Sequence, residues 1–137
     1  FELHGNMQWL VCLKCHQRYP FEQVLARLDK YEEVPDCGLC HGILKPDAIL
    51  FGEPLPEKVF KEAVKHSKRC DLLIVIGSTL VVYPAAYIPT YALDGGAKLV
   101  IINLSPTPLD RKASVLVKAK AGEAMPRVVQ QVKEKMG

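Results

Sequence analysis

Three things are scarce or missing in this sequence, and each absence narrows what the chain can be. No stretch resembles a signal peptide, and no apolar run could span a bilayer: the most apolar segment, Leu80 to Leu93, is broken by Pro84, Pro89 and Thr90. No basic face stands out, because the 18 basic and 15 acidic residues behind the formal charge of +3 are interspersed. Membrane insertion and direct nucleic-acid binding are therefore not expected. Low-complexity tracts, internal repeats, Lys/Arg-rich runs and lipidation signals are also missing, so a soluble, cytoplasmic protein is the default expectation. There is no initiator Met either. The chain opens FELHGN, in which Phe-Glu-Leu reads as the end of a strand and His-Gly-Asn as the turn after it.

What is present is enough for one packed domain: 137 residues, 49% of them hydrophobic, with ten prolines and nine glycines spread through the chain rather than pooled. Within YPFEQVLARLDKY, the spacing of Phe21, Val24, Leu25 and Leu28 predicts a short amphipathic helix. LPEKVFKEAVKHSKRC predicts a second, with Pro56 at its start, Glu57 in the first turn and Lys65, Lys68 and Arg69 near its end.

DLLIVIG is a short, continuous apolar run closed by Gly77, the pattern of a parallel strand buried on both faces, and AKLVIINL repeats it. The intervening YPAAYIPTYALDGG suits a crossover helix ended by Gly95 and Gly96, giving a right-handed β-α-β unit. SVLVKAKAG supplies a third run, and an amphipathic helix from about Ala124 to Met136 closes the chain. The second half is thus α/β, and its ligands are expected beyond the carboxyl ends of its strands, in loops such as GSTL and NLSPTP.

Four of the five cysteines form two Cys-x-x-Cys pairs, Cys12/Cys15 and Cys37/Cys40, with residues 16–36 between them. Each pair lets two thiolates grip one ion from a tight turn, and four thiolates close the tetrahedron of a structural zinc site. A redox pair or free buried thiols are the alternatives. His16 and His41, each directly after a cysteine, read as solvated side chains, and Cys70 as a small core residue. A closed tetrathiolate does no chemistry, so catalysis is expected elsewhere.

Two stretches offer it. His4, before Gly5, has an imidazole suited to general-base work near neutrality, although a lone histidine in a turn also fits a structural or solvated role. In KPDAILFGEPLP, Ile49, Leu50 and Phe51 make a short extended run whose edge could pair with an extended peptide; a core-facing linker is the other reading.

Taken together, HGN, the paired cysteines, PDAILFGEPLP, GSTLVVYP, the Asn103 step of VIINLSPTP, and KAGEAMP occur in an order that resembles the sirtuins, the NAD-dependent protein lysine deacylases. The resemblance covers essentially the whole chain. It implies an α/β fold: part of a Rossmann-like parallel sheet with a small zinc-binding lobe. Its domains would be the catalytic-histidine turn in 1–11, the zinc lobe in 12–45 and part of the NAD-binding domain in 46–137. His4 would be the catalytic base towards the NAD ribose. Cys12, Cys15, Cys37 and Cys40 would hold zinc. Ile49, Phe51, Gly52 and Glu53, with Val82 and Tyr83, would receive the acylated-lysine peptide. Gly77, Ser78 and Thr79 would meet the NAD ribose, Asn103 and Leu104 the adenosine ribose, and Lys120 and Ala121 the adenine.

The same resemblance marks a departure. Sirtuins carry a Gly-Ala-Gly phosphate loop and an Asn-Ile-Asp segment upstream of the catalytic histidine, and neither occurs here. The chain is therefore expected to be the carboxyl-terminal portion of a catalytic domain, as a fragment of a longer chain or in company with a second chain or copy supplying the missing half. The rival expectation is a non-catalytic, zinc-stapled module that holds acylated peptides or a partner. Mono-ADP-ribosyl transfer shares the enzyme's first chemical step.

Overall fold

The computed structural model describes residues 1–28 and 36–137, in two compact units, Phe1–Glu57 and Lys58–Gly137. The end of the first expected helical segment, from Asp29 to Tyr31, lies outside the described residues.

The first unit is built on a three-stranded antiparallel sheet of order β2-β1-β3, with β1 at Gly5–Cys12, β2 at Arg18–Pro20 and β3 at Leu44–Ala48. Register is set by Leu10 opposite Tyr19 on one side and Pro46 on the other, with Cys12 opposite Leu44. Pro46 has no N–H to give a ladder and is tolerated because β3 is an edge strand. The opening differs from expectation: Leu3 and His4 form the turn, and the strand begins at Gly5, which pairs with Ala48. Gly5 has φ +66°, and a Cβ there would lie 2.0 Å from the Asp47 carbonyl oxygen, so only glycine lets the two backbones meet.

The helix α1 spans Phe21–Leu28. Its apolar stripe is narrower than its sequence spacing implies: Val24 is buried and Phe21 half-buried, whereas Leu25 and Leu28 are exposed. The unit's buried cluster is Leu10, Cys12, Val24, Cys37 and Leu44, with Tyr19, Phe21 and Cys40 packed against it.

The expected extended run over Ile49–Phe51 is displaced. The strand ends at Ala48, and the chain turns at Phe51–Gly52 because the Glu53 N–H donates to the Leu50 carbonyl while the Glu53 carboxylate accepts the Leu50 N–H.

The second unit carries a parallel sheet of order β4-β5-β6, with β4 at Leu72–Ile76, β5 at Lys98–Ile102 and β6 at Val115–Val117. The helix α2, Glu57–Ser67, leads into it and turns Ala63 and Ser67 inward. The crossover is a short helical turn, Ala85–Tyr87, running into α3, Ile88–Asp94. The core is Val75, Leu80, Ala86, Leu99, Ile101 and Leu109.

Burial on both faces holds for β5, where Leu99, Ile101 and Ile102 are all buried, but not for β4. There Val75 faces the core while Leu72, Ile74 and Ile76, on the opposite face of this edge strand, are 42–50% exposed. Cys70 is half-buried rather than a core residue, its thiol donating to the Ser67 carbonyl. The closing helix α4 spans Ala121–Met136, three residues earlier than the sequence indicates, because the Lys120 carbonyl accepts the N–H groups of Glu123 and Ala124. No helix among the described residues is long and apolar enough to cross a membrane.

The Gly5 contact gives a direct test. Gly5→Ala is expected to destabilise the protein by about 2 kcal/mol or more, through left-handed strain and collision with Asp47. Urea denaturation should show the lowered midpoint, and an unchanged midpoint would contradict this account of the β1–β3 pairing.

Candidate functional site

The four paired cysteines converge. One sulfur from each of Cys12, Cys15, Cys37 and Cys40 lies within 4.8 Å of all the others. The two knuckles that carry them repeat one backbone pattern. The His16 N–H donates to the Cys12 carbonyl and the His41 N–H to the Cys37 carbonyl, each across a single tight turn. Each histidine sits in the left-handed region, with φ 60° and 55°, so these residues turn the chain out of its knuckle. Both are exposed, as expected for solvated side chains, although the His41 Nδ1 also meets the Asp36 carboxylate at 2.6 Å.

Hydrogen-bond donors surround the sulfurs unevenly. The Cys12 Sγ accepts the N–H groups of Lys14 and Cys15 at 3.4 and 3.5 Å, which holds its thiol below the usual range. The Tyr19 hydroxyl lies 3.1 Å from the Cys37 Sγ and lowers that thiol to about 6. The thiolate in turn holds the Tyr19 phenol up at about 12. Crowding by the Cys15 sulfur pushes Cys40 the other way, to about 12. Four sulfurs this close cannot all ionise unless a cation joins them.

The donor set fits zinc. A tetrahedron with Zn–S near 2.3 Å has edges of about 3.8 Å, and the Cys12–Cys40 and Cys15–Cys37 sulfurs stand 3.5 and 3.6 Å apart. Gly42 keeps the space clear, since a Cβ there would come within 2.8 Å of the Cys12 Sγ and 3.3 Å of the Cys40 Sγ. Outside the ring, the Arg27 guanidinium donates to the Asp36 carbonyl and carboxylate, fastening α1 to the start of the second knuckle. Sequence spacing located the cysteines but gave no sign of the parts played by Tyr19 at Cys37, Arg27 at Asp36 or Gly42 beside Cys12, partners 9 to 30 positions apart.

The remaining first-unit candidates cluster at the end of β3. The Ile49 N–H donates to the His4 carbonyl at 2.9 Å, so the ladder continues past β3 and ties the exposed His4 to the start of the Phe51–Glu53 turn. Phe51 is 98% exposed at the turn's tip, next to Gly52. Glu53 is engaged internally: its carboxylate meets the Lys45 ammonium at 2.6 and 2.8 Å and the Leu50 N–H at 2.8 Å. Lys45 also donates to the Ala48 carbonyl and so fixes the turn's shape, a role with no sequence signal.

In the second unit, the expected ribose and adenine residues all follow carboxyl ends of the parallel strands. Gly77, Ser78 and Thr79 follow β4, Asn103 and Leu104 follow β5, and Lys120 and Ala121 lead from β6 into α4. Gly77 and Ala121 are close neighbours, a Cβ on Gly77 falling 4.0 Å from that of Ala121. Asn103 is nearly buried and donates to the Ser105 carbonyl, whereas Leu104 is exposed. The Ser78 hydroxyl accepts the Leu80 N–H, and Leu80, at φ 56°, turns inward to join the core, pinning the GSTL loop from below. Val82 and Tyr83 are exposed, with the Tyr83 and Tyr87 rings 4.6 Å apart.

A tetrathiolate cluster and a three-stranded parallel sheet with loops at its carboxyl edge define a zinc-stapled α/β class. Comparison with known proteins narrows this. The Sir2 family model matches residues 1–84, and the chain belongs to that family. It is 44% identical over 133 residues to the NAD-dependent protein deacylase 2 of Archaeoglobus fulgidus, covering 96% of this chain and 52% of that protein. It is 40% identical over 130 residues to the NAD-dependent protein deacetylase of Thermotoga maritima, covering 95% and 52%.

A solved Sir2 complex with p53 peptide and NAD+ superposes with a TM-score of 0.87 at 39% identity, over 96% of this chain and 54% of that one. So does Sir2Tm bound to a propionylated peptide, with TM-score 0.87, 39% identity, and 96% and 55% covered. The chain spans about half the length of the curated relatives it matches.

Two outcomes follow. The protein is expected to bind one zinc per chain; chelation should lower its denaturation midpoint, and Cys12→Ser should abolish stoichiometric uptake, both checked by metal analysis and thermal melting. The second concerns Glu53, whose carboxyl is held below its ordinary value by Lys45 first and the Leu50 N–H second. A lowered folded-state pKa stabilises fully above the unfolded value of about 4.3 and is lost as pH falls through the folded one. The stability gap between the protein and Glu53→Gln should therefore be constant from pH 7 to about 5 and shrink below about 4. Denaturation midpoints across that range would show it, and a gap that widens on acidification would reverse the assignment.

Proposed function

We propose that this chain carries the acyl-lysine and ribose-facing half of an NAD-dependent protein lysine deacylase, with NAD and zinc as its cofactors. One observation carries the reading: relatives named as NAD-dependent deacylases and deacetylases match 95–96% of the chain at 40–44% identity. The domain assignment follows it, with the catalytic-histidine turn in 1–11, the zinc lobe in 12–45 and nucleotide-binding sheet in 46–137.

A neutral acyl-lysine amide is a poor nucleophile, so its oxygen must be aligned and kept dry. Ile49 and Phe51 provide apolar walls for that purpose, and Gly52, Val82 and Tyr83 present backbone to an extended peptide. Glu53 belongs to the same peptide-receiving segment, and its ion pair with Lys45 shapes the turn. When bound, NAD supplies an electrophilic ribose carbon from which nicotinamide can leave. Gly77, Ser78 and Thr79 position that ribose, Asn103 and Leu104 the adenosine ribose, and Lys120 and Ala121 line the adenine. The His4 imidazole accepts the proton that the ribose hydroxyl loses as the acyl group moves to it. One water is consumed in the overall exchange, so that acyl-lysine, NAD and water give O-acyl-ADP-ribose, nicotinamide and the free lysine. The zinc, held by four thiolates, braces the lobe without an open position for chemistry.

The test is nicotinamide release from NAD that depends on an acetyl-lysine peptide, measured on the full-length protein containing this sequence. His4→Tyr is expected to lower multiple-turnover formation of deacylated peptide by roughly 100-fold or more, the usual worth of a positioned base. Nicotinamide release that ignores the peptide, or deacylation that survives the substitution, would overturn the proposal. Peptide binding without any turnover would favour the binding-module reading.

A further inference from the structure

The four sulfurs of the cluster are chemically unequal, differing in exposure and in the donors they receive. Cys12 is buried and accepts two backbone N–H groups. Cys37 is buried and takes the hydroxyl of Tyr19 at 3.1 Å. Cys15 is exposed, and its sulfur meets only other sulfurs among the described residues. Tyr19 is placed by β-sheet register: opposite Leu10 in the β1–β2 ladder, it packs against the cluster of Leu10, Cys12, Val24, Cys37 and Leu44. Its hydroxyl is therefore held at the sulfur by backbone pairing and core packing rather than by a mobile loop.

We propose that Tyr19 is a positioning residue of the metal centre: its hydroxyl hydrogen-bonds the zinc-bound sulfur of Cys37, fixing that ligand, and leaves Cys15 as the thiolate at which the centre opens. The physical basis is the electron density on sulfur. A hydrogen bond to a metal-bound thiolate draws charge from its lone pairs, lowering its nucleophilicity towards electrophiles, and orients it so that it does not swing away from the metal. A thiolate without a donor, open to solvent, keeps its full nucleophilicity. Donor distribution and exposure thus point the same way: Cys37 is the guarded ligand and Cys15 the vulnerable one. The inference rests on the zinc reading of the four cysteines.

Tyr19→Phe removes the donor and keeps the ring. In the zinc-loaded protein it is expected to weaken zinc affinity roughly tenfold or more in chelator competition. In the cobalt-substituted protein it should move the sulfur-to-metal charge-transfer band to lower energy, which lost packing alone would not do. In a Cys70→Ser background, limiting N-ethylmaleimide should modify Cys15 before the other three ligands, and the share at Cys37 should rise in Tyr19→Phe. Unchanged affinity overturns the proposal, and weaker affinity with an unmoved band does so too, by reducing Tyr19 to packing. Should Tyr19→Phe not fold, first labelling at Cys37 in the otherwise native protein would be decisive against it. A chain that takes up no zinc at all would instead fail the underlying metal reading.

Discussion

The convergence of four cysteine sulfurs into one small volume is the constraint on which the first unit depends. Of the five buried residues in its described core cluster, two are cysteines, so the metal cage and the core are the same object. The other described apolar contributions are Leu10, Val24 and Leu44 with the half-buried Tyr19 and Phe21, a small core for a lobe to rest on without a staple. The opposed perturbations at Cys37 and Cys40, one thiol held near 6 and the other near 12, are two sides of one conflict: sulfurs packed to share a cation compete for protons when none is bound. A divalent ion resolves the conflict for all four at once, which is why metal affinity and folding of such lobes are a single equilibrium.

The consequence reaches well beyond the cage through backbone register. Cys12 ends β1 and pairs with Leu44 at the start of β3, so the ladder is clamped at its cysteine end. Followed away from the clamp, the same two strands bring Gly5 opposite Ala48 and then Ile49 against the His4 carbonyl. The register shifts between Gly5 and Leu10, and beyond that irregularity the close backbone approach that Gly5 permits lets the two strands pair again at Ala48. The Lys45–Glu53 pair then shapes the turn beyond. In this arrangement the metal does no chemistry, yet it fixes the relation of the His4 turn to the segment that would receive a peptide.

How far the sequence alone reveals this depends on the range of each interaction. The cysteine pairs are legible because chelation from a tight turn demands a local spacing, and α2 and α3 are legible because caps and periodicity are also local. The strand start at Gly5 was hidden, since Phe-Glu-Leu looks extended and only the partner at Ala48 decides where pairing begins. β3 was hidden for the same reason, with Pro46 arguing against a strand until its edge position is known. Tyr19 acts on Cys37, Lys45 on Glu53 and Asp36 on His41, partners 5 to 18 positions away that nothing in their neighbourhoods announces. The apolar run of β4 reads as doubly buried because composition reports what a face would favour, not what covers it.

In the second unit the candidate residues are held by main chain more than by side chains. The Gly77 N–H donates to the Ile102 carbonyl, and the Asn103 N–H to the Val117 carbonyl. Each loop is thus anchored on the last residue of the next strand, continuing the parallel ladder one step past β4 and β5. The three loops therefore begin at a common level along the sheet, and neither the Gly77 nor the Asn103 loop can shift without breaking the ladder bond that starts it. Leu80 adds a second anchor by burying its side chain beneath the GSTL loop from a left-handed backbone that only a firm hold would maintain. A sugar and base laid along this edge would meet groups whose spacing comes from strand separation, near 4.8 Å, rather than from flexible side chains. Gly77, Ser78 and Ala121 bring only small side chains to this edge, so the backbone there stays open.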